Sequence, residues 1–202
     1  MAAKPKKRPR PPRGLPARIV DAAVAMADET GWSAVRLRRV ADHLGVPLSE
    51  VRRHFRDLDA VADAWFERAN QAMLSPTGRT FADLPARQRL HALLLRWFDA
   101  LAAHRRVTGA MIAAKLQPSH PHHWVPLIFN LSRTIHWLRD AAGLDAAGRR
   151  RQIEEIGLSA LFLATLAVWA RDGTADQERT RAFLDRALAR ADGAMARLFR
   201  NS

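Results

Sequence analysis

The sequence predicts an all-α chain of about nine helices, arranged as a small N-terminal three-helix unit and a larger C-terminal helical one. Three observations lead there. Apolar residues recur three and four positions apart through most of the chain, the spacing of one helical face. No run of four to eight residues alternates apolar and polar between turn signals, so no strand is predicted. Breaks rich in Gly, Pro and Ser separate the periodic segments. Hydrophobic residues are 48% of the chain and charged residues 26%, which supplies enough apolar surface for a core and argues against a disordered polymer.

The elements follow in order. Residues 1–15 set Lys4, Lys6, Lys7, Arg8, Arg10 and Arg13 among Pro5, Pro9, Pro11 and Pro12, a cationic arm that cannot form a helix. Pro16 suits a first helical turn, and Ile19, Val20, Ala23, Val24 and Ala27 continue at helical spacing until Gly31. Leu37, Val40, Ala41 and Leu44 mark a short second helix ended by Gly45; Val51 and Phe55 mark a short third. Asp57 or Asp59 can cap a fourth, with Val61, Ala64, Trp65, Ala69 and Met73 on its apolar side. Ser75, Pro76, Thr77 and Gly78 then break the chain, which places one domain at 16–74 and a second at 80–202. In the second, Asp83 and Pro85 read as cap and first turn of a helix carrying Leu90, Leu93, Leu94, Trp97, Phe98 and Leu101. A short helix surrounds Met111 and Ile112, and longer ones are expected near 123–142, 149–171 and 176–200.

Composition narrows the function classes. There is no cysteine, which removes disulfides, thiolate metal sites and cysteine nucleophiles and suits a reducing cytoplasm. The basic, proline-rich start has no apolar run after it and does not read as a secretory signal. The longest apolar stretch, 156–170, is shorter than the roughly 20 residues of a membrane span, so no stable membrane insertion is expected. The formal charge of +13 favours a polyanionic partner, nucleic acid or an acidic membrane surface. His120, His122 and His123 flank Pro121, but adjacent histidines in a turn seldom converge on one ion, and no cofactor or metal is assigned. No serine has a placeable histidine–carboxylate pair, no phosphate-binding glycine loop occurs, and Glu154 and Glu155 point to different sides of a helix; an enzyme is not expected.

The most informative segment is 37–55, LRRVADHLGVPLSEVRRHF. Ala41, Gly45 four residues on and Val51 six beyond that have the spacing of a helix-turn-helix. Ala41 must be small where the next helix crosses it, Gly45 permits a left-handed turn, and Val46 and Val51 fill the space between helices. Residues three and four apart share a helical face, so Leu48, Ser49, Arg52 and Arg53, followed by His54, are expected to face outward while Val51 and Phe55 face inward. Arginine there can pair bidentately with guanine in the major groove or clamp phosphate, and Arg52 and Arg53 are the expected groove contacts. Arg36, Arg38 and Arg39 fall where such motifs touch the sugar–phosphate backbone, and the arm, through Lys6, Lys7, Arg8 and Arg10, can follow a groove.

Residues 18–70 resemble the DNA-binding domain of the TetR family. The resemblance rests on Arg18-Ile19-Val20-Asp21-Ala22-Ala23 in the first helix, Gly31-Trp32 closing it, Arg38-Arg39-Val40-Ala41 in the second, Leu44-Gly45-Val46 in the turn and Phe55 ending the third. It implies a homodimer, a palindromic DNA operator and repression relieved by a small molecule. The chain departs from the family pattern at Arg52-Arg53-His54, where a tyrosine-histidine-tyrosine run is frequent, at Leu58, where lysine is common, and at Pro47 and Leu48. These departures leave the operator sequence unreadable.

The C-terminal half is expected to bind a ligand and to dimerise. The helix at 149–171 is apolar on nearly every face after Glu155, and the last helix carries a stripe of Phe183, Leu184, Ala187, Leu188, Ala191, Met195 and Leu198. The resemblance implies that these two helices pair with their symmetry mates. Residues 161–188 are also weakly similar to the lipid-binding protein family of coenzyme Q synthesis, which implies a small apolar ligand and supplies the alternative reading: a lipid-binding or membrane-surface protein that no longer binds DNA. Trp97, Phe98, Met111, Trp124, Phe129, Phe162 and Trp169, with His136 and Trp137, are the candidate pocket residues.

Overall fold

The computed structural model describes residues 14–117 and 124–199. Among these residues run nine α-helices and no strand: α1 (Leu15–Thr30), α2 (Leu37–Leu44), α3 (Leu48–His54), α4 (Leu58–Met73), α5 (Ala86–Leu101), α6 (Arg105–Lys115), α7 (Trp124–Ala141), α8 (Gly148–Trp169) and α9 (Glu178–Leu198). This is the all-α class expected from the periodicity. The chain forms two compact units, Met1–Ala62 and Asp63–Ser202, which divide inside α4. Residues 1–13 of the basic arm and the histidine tract lie outside the described residues, and Leu15, expected to end the arm, instead opens α1.

In the first unit, α1 opens with proline in its first turn and buries Ile19, Val20, Ala23, Val24 and Ala27. Gly31 ends it at φ 84° and ψ 150°, a conformation that a side chain would strain. A single 3₁₀ turn, Trp32–Ala34, then buries Trp32. Asp57 caps α4: its Oδ1 accepts the Ala60 amide at 2.7 Å.

The second unit is built around α5, which buries Leu90, Leu93, Leu94, Trp97, Phe98 and Leu101. Its start differs from the sequence expectation. No side chain caps it, and the Pro85 carbonyl instead accepts the amides of Gln88 at 2.8 Å and Arg89 at 3.1 Å, so Asp83 is not the cap. Arg89 then donates to the carbonyls of Leu84 at 2.6 Å and Ala142 at 2.7 Å, joining the start of α5 to the end of α7. Arg139 on α7, only 3% exposed, donates to Glu154 at 3.0 Å and Glu155 at 3.5 Å on α8 and to the Leu144 carbonyl at 3.2 Å. By length and composition, α8 is apolar enough to cross a membrane, although the apolar stretch read from sequence was shorter.

The turn between α8 and α9 holds Asp176 and Gln177 at φ 50° and 59°, a region that costs a non-glycine residue of order 1–3 kcal/mol. Gln177 is held there by one buried partner, Trp169, and one exposed partner, Asp99. The Gln177 side chain accepts from Trp169 Nε1 and donates to Asp99, both at 2.6 Å. Asp172, 2% exposed, accepts the amide and hydroxyl of Thr174 on one oxygen and those of Thr180 on the other, at 2.5–3.0 Å. Burial alone would raise its pKa, but these four hydrogen bonds outweigh desolvation and hold the carboxyl well below the ordinary carboxylate range. A depressed acid contributes stability above its unfolded value near 3.8, and that contribution is lost as pH falls below it. Asp172→Asn should therefore lower stability by about 1–3 kcal/mol at neutral pH and flatten the acid limb of the unfolding curve. Thermal melts between neutral pH and pH 3 measure both; superimposable acid limbs would remove this role from Asp172.

Candidate nucleic-acid interface

Two short helices and the turn between them set the geometry of the first unit. Gly45 sits in the left-handed region at φ 65°, ψ 34°. The turn closes through the Val46 amide donating to the Ala41 carbonyl at 3.1 Å and the Gly45 amide to that of Asp42 at 3.2 Å. Ala41 is 1% exposed, Val51 0% and Phe55 7%, which pins α3 against α2 and α1. Val46 is half-buried. Ala41, Gly45 and Val51 thus take the positions in the folded motif that their spacing predicts.

With Val51 and Phe55 inside, the opposite side of α3 is presented outward. Leu48, Ser49, Arg52, Arg53 and His54 are all exposed, as are Arg36, Arg38 and Arg39. The arginines are not equivalent. Arg53 pairs with Glu50 one turn earlier at 2.5 Å, whereas Arg52 has no carboxylate partner among the described residues. Because that pair is exposed, it contributes at most about 1 kcal/mol, and a phosphate can compete for Arg53. Arg36 donates to the carbonyls of Ser33 at 2.8 Å and Val35 at 2.9 Å and is tied to its own backbone. Leu37, Arg38, Leu48, Ser49, Arg52 and Phe55 line a shallow groove of about 460 Å³ whose lining is almost entirely apolar. The sequence identified most of these residues one by one but not the groove, which exists only where the start of α2 meets the length of α3.

The second unit gathers some of the expected pocket residues and separates others. Trp97 lies 4.9 Å from Phe162 and 5.1 Å from Phe98, ring centre to ring centre, and Phe98 is 5.7 Å from both Phe162 and Trp169. With Met111 they are buried, in edge-to-face or offset contact. Phe129 and Trp137 are instead 60% and 55% exposed, and His136 sits at the surface 3.5 Å from Glu155. The reason is helical phase: α7 turns Thr134, Ile135, Leu138 and Arg139 inward, which leaves 129, 136 and 137 on its other side. The Trp124 side chain is outside the described residues.

Sequence reasoning missed a set of polar side chains within the second unit. The part of α4 that belongs to it is bonded to three neighbours: Asp63 to Lys115 on α6 at 3.0 Å and Asn130 on α7 at 3.1 Å, Trp65 Nε1 to Thr108 on α6 at 3.0 Å, and Asn70 to Trp97 on α5 at 2.9 Å and Thr134 on α7 at 3.2 Å. Lys115 is 2% exposed, and nothing in its local sequence distinguishes it from a surface lysine.

No protein-family model matches the sequence, and no curated protein does. Solved structures do. A TetR transcriptional regulator from Nitrosomonas europaea is 41% identical, with a TM-score of 0.78 over 88% of this chain and 98% of that one. A TetR regulator from Rhodococcus has 19% identity and a TM-score of 0.63 over 86% and 92% of the two chains, a likeness of fold. The multidrug binding protein EbrR, complexed with imidazole, has 23% identity and a TM-score of 0.51 over 85% and 88%. Identity of 41% along nearly the whole of a regulator, together with an outward-facing arginine-bearing helix in a helix-turn-helix, places this chain in the TetR family of DNA-binding transcriptional regulators.

Proposed function

We propose that the chain is a ligand-responsive repressor that binds a palindromic operator as a homodimer in the cytoplasm, with α3 of each protomer in successive major grooves about 34 Å apart. One observation carries the reading: exposed arginine on a helix whose other side is locked by Val51 and Phe55. Arg52 contacts bases, while Arg38, Arg39, Arg53 and the arm residues Lys6, Lys7, Arg8 and Arg10 contact phosphate. Arg36 acts mainly by shaping the entry to α2, since its guanidinium holds two carbonyls. Selection of duplexes from a random library, followed by affinity measured against salt, tests this. A steep salt dependence and a two-fold symmetric site are expected; retention of no duplex at low salt would overturn it.

The Glu50–Arg53 pair gives a sharper check. If Arg53 leaves Glu50 for a phosphate when DNA binds, Glu50→Gln should strengthen binding of every duplex alike, by at most about 1 kcal/mol per protomer, with base preference unchanged. A gain confined to particular duplexes would place Arg53 on a base edge instead.

The dimer reading rests on what α8 and α9 leave uncovered. Ile153, Ile156 and Leu163 on α8 and Leu198 on α9 are exposed, and Gly157, Ala160 and Ala164 on α8 are small enough for close approach of a second helix pair. Ile156, 71% exposed, is the most open of these, so Ile156→Glu should convert a dimer to a monomer in sedimentation velocity. For the ligand, the aromatic group of Trp97, Phe98, Phe162 and Trp169, with Met111, is the site proposed to open for a small apolar molecule. The hydrogen bonds from α4 to α5, α6 and α7 would pass that change into α4. Native mass spectrometry reports both dimer mass and a retained molecule.

The second reading, a lipid or membrane-surface protein, is favoured by the apolar length of α8 and by exposed Ile128, Phe129 and Trp137 on α7. Vesicle co-sedimentation without DNA retention would support it over the first.

A further inference from the structure

Along the side of α3 that carries Arg52, the groove between α3 and the start of α2 combines two chemistries. Leu37, Leu48 and Phe55 line it with apolar side chains, and Arg38 and Arg52, both exposed, belong to the same lining and bring positive charge to it. Leu48 is 48% exposed and shares the groove with Leu37, which makes an apolar surface available to whatever lies against this side of α3. The two arginines select a polyanion. Of the groups that a DNA major groove displays, one is apolar, the 5-methyl of thymine; the rest are hydrogen-bond donors and acceptors. Neither Leu37 nor Leu48 can satisfy a donor or acceptor, so a guanine, cytosine or adenine edge pressed against these two side chains would lose water without compensation from them. We infer that Leu48, with Leu37 and Phe55 beneath it, reads a thymine methyl in each half-site, next to the base contacted by Arg52.

The inference rests on the operator-binding reading above and adds a specificity determinant to it. Ser49 is the polar member of the groove's lining besides the two arginines, and its hydroxyl suits either a base edge or a phosphate.

The experiment uses the full chain and a duplex recovered by selection, with each thymine replaced singly by deoxyuridine, which differs only in lacking the methyl. One thymine per half-site should show a loss of about fourfold, the worth of one buried methyl. The same replacement should have no effect on Leu48→Asn, whose folding is protected by the exposure of position 48 and is confirmed by an unchanged melting temperature. Arg52→Ala should bind more weakly yet keep its sensitivity to the methyl. If every thymine tolerates deoxyuridine, or if the sensitive one stays equally sensitive in Leu48→Asn, the inference is overturned while operator binding stands. If no duplex is recovered at low salt, operator binding fails and the inference with it.

Discussion

Arg52→Ala is expected to cost roughly 1–3 kcal/mol of operator affinity for each half-site and to relax the base preference at one position, because a bidentate guanidinium–guanine pair is worth that much discrimination. Arg53→Ala should weaken all duplexes nearly alike. The difference between neighbouring arginines comes from Glu50, which draws the Arg53 guanidinium back along the helix to 2.5 Å and leaves Arg52 alone beside the groove. Selection repeated with each variant separates the two roles. A narrowed salt slope with unchanged sequence preference for Arg52→Ala would reassign that residue to the phosphate backbone. The double replacement should bind more weakly still but show the same base preferences as Arg52→Ala, since the phosphate contact it further removes carries no sequence information.

Arg139→Met should lower stability by about 3 kcal/mol, because it removes the buried cation between α7 and α8 and leaves Glu154 and Glu155 only their exposed partners Arg150 and Arg151. Total stabilities of roughly 5–15 kcal/mol make a loss of that size a large fraction of the whole. Arg139 also donates to the carbonyls of Leu144 and Ala146, so one side chain ties the end of α7 to the loop before α8 and to α8 itself. Arg139→Lys should recover little, since a single ammonium cannot reproduce a planar fork spread over two carboxylates and two carbonyls. Chemical denaturation at fixed protein concentration measures both. A loss below about 1 kcal/mol for Arg139→Met would mean that Glu154 and Glu155 are satisfied by Arg150 and Arg151, which lie 3.2 and 2.8 Å from them.

The sequence by itself determined the helices and the helix-turn-helix, because both are local. Pro16 and Gly31 bracket α1, Asp57 caps α4, and the positions of Ala41, Gly45 and Val51 fix the turn through contacts within a dozen residues. The outward side of α3 followed from the same spacing. Where a helix carried apolar residues on both sides, local pattern could not choose. In α7, Ile135 and Leu138 compete with Ile128, Phe129 and Trp137 for the interior, and only packing against α5 and α8 selected the first pair. That choice separated Phe129, His136 and Trp137 from the aromatic group around Trp97. Tertiary structure alone also buried Lys115 and Arg139, since a charge enters an interior only when partners are there to meet it, and theirs are distant in sequence: Asp63 is 52 positions from Lys115, and Glu154 is 15 from Arg139. The groove beside Arg52 belongs with these, for it is the space left between two helices rather than a property of either.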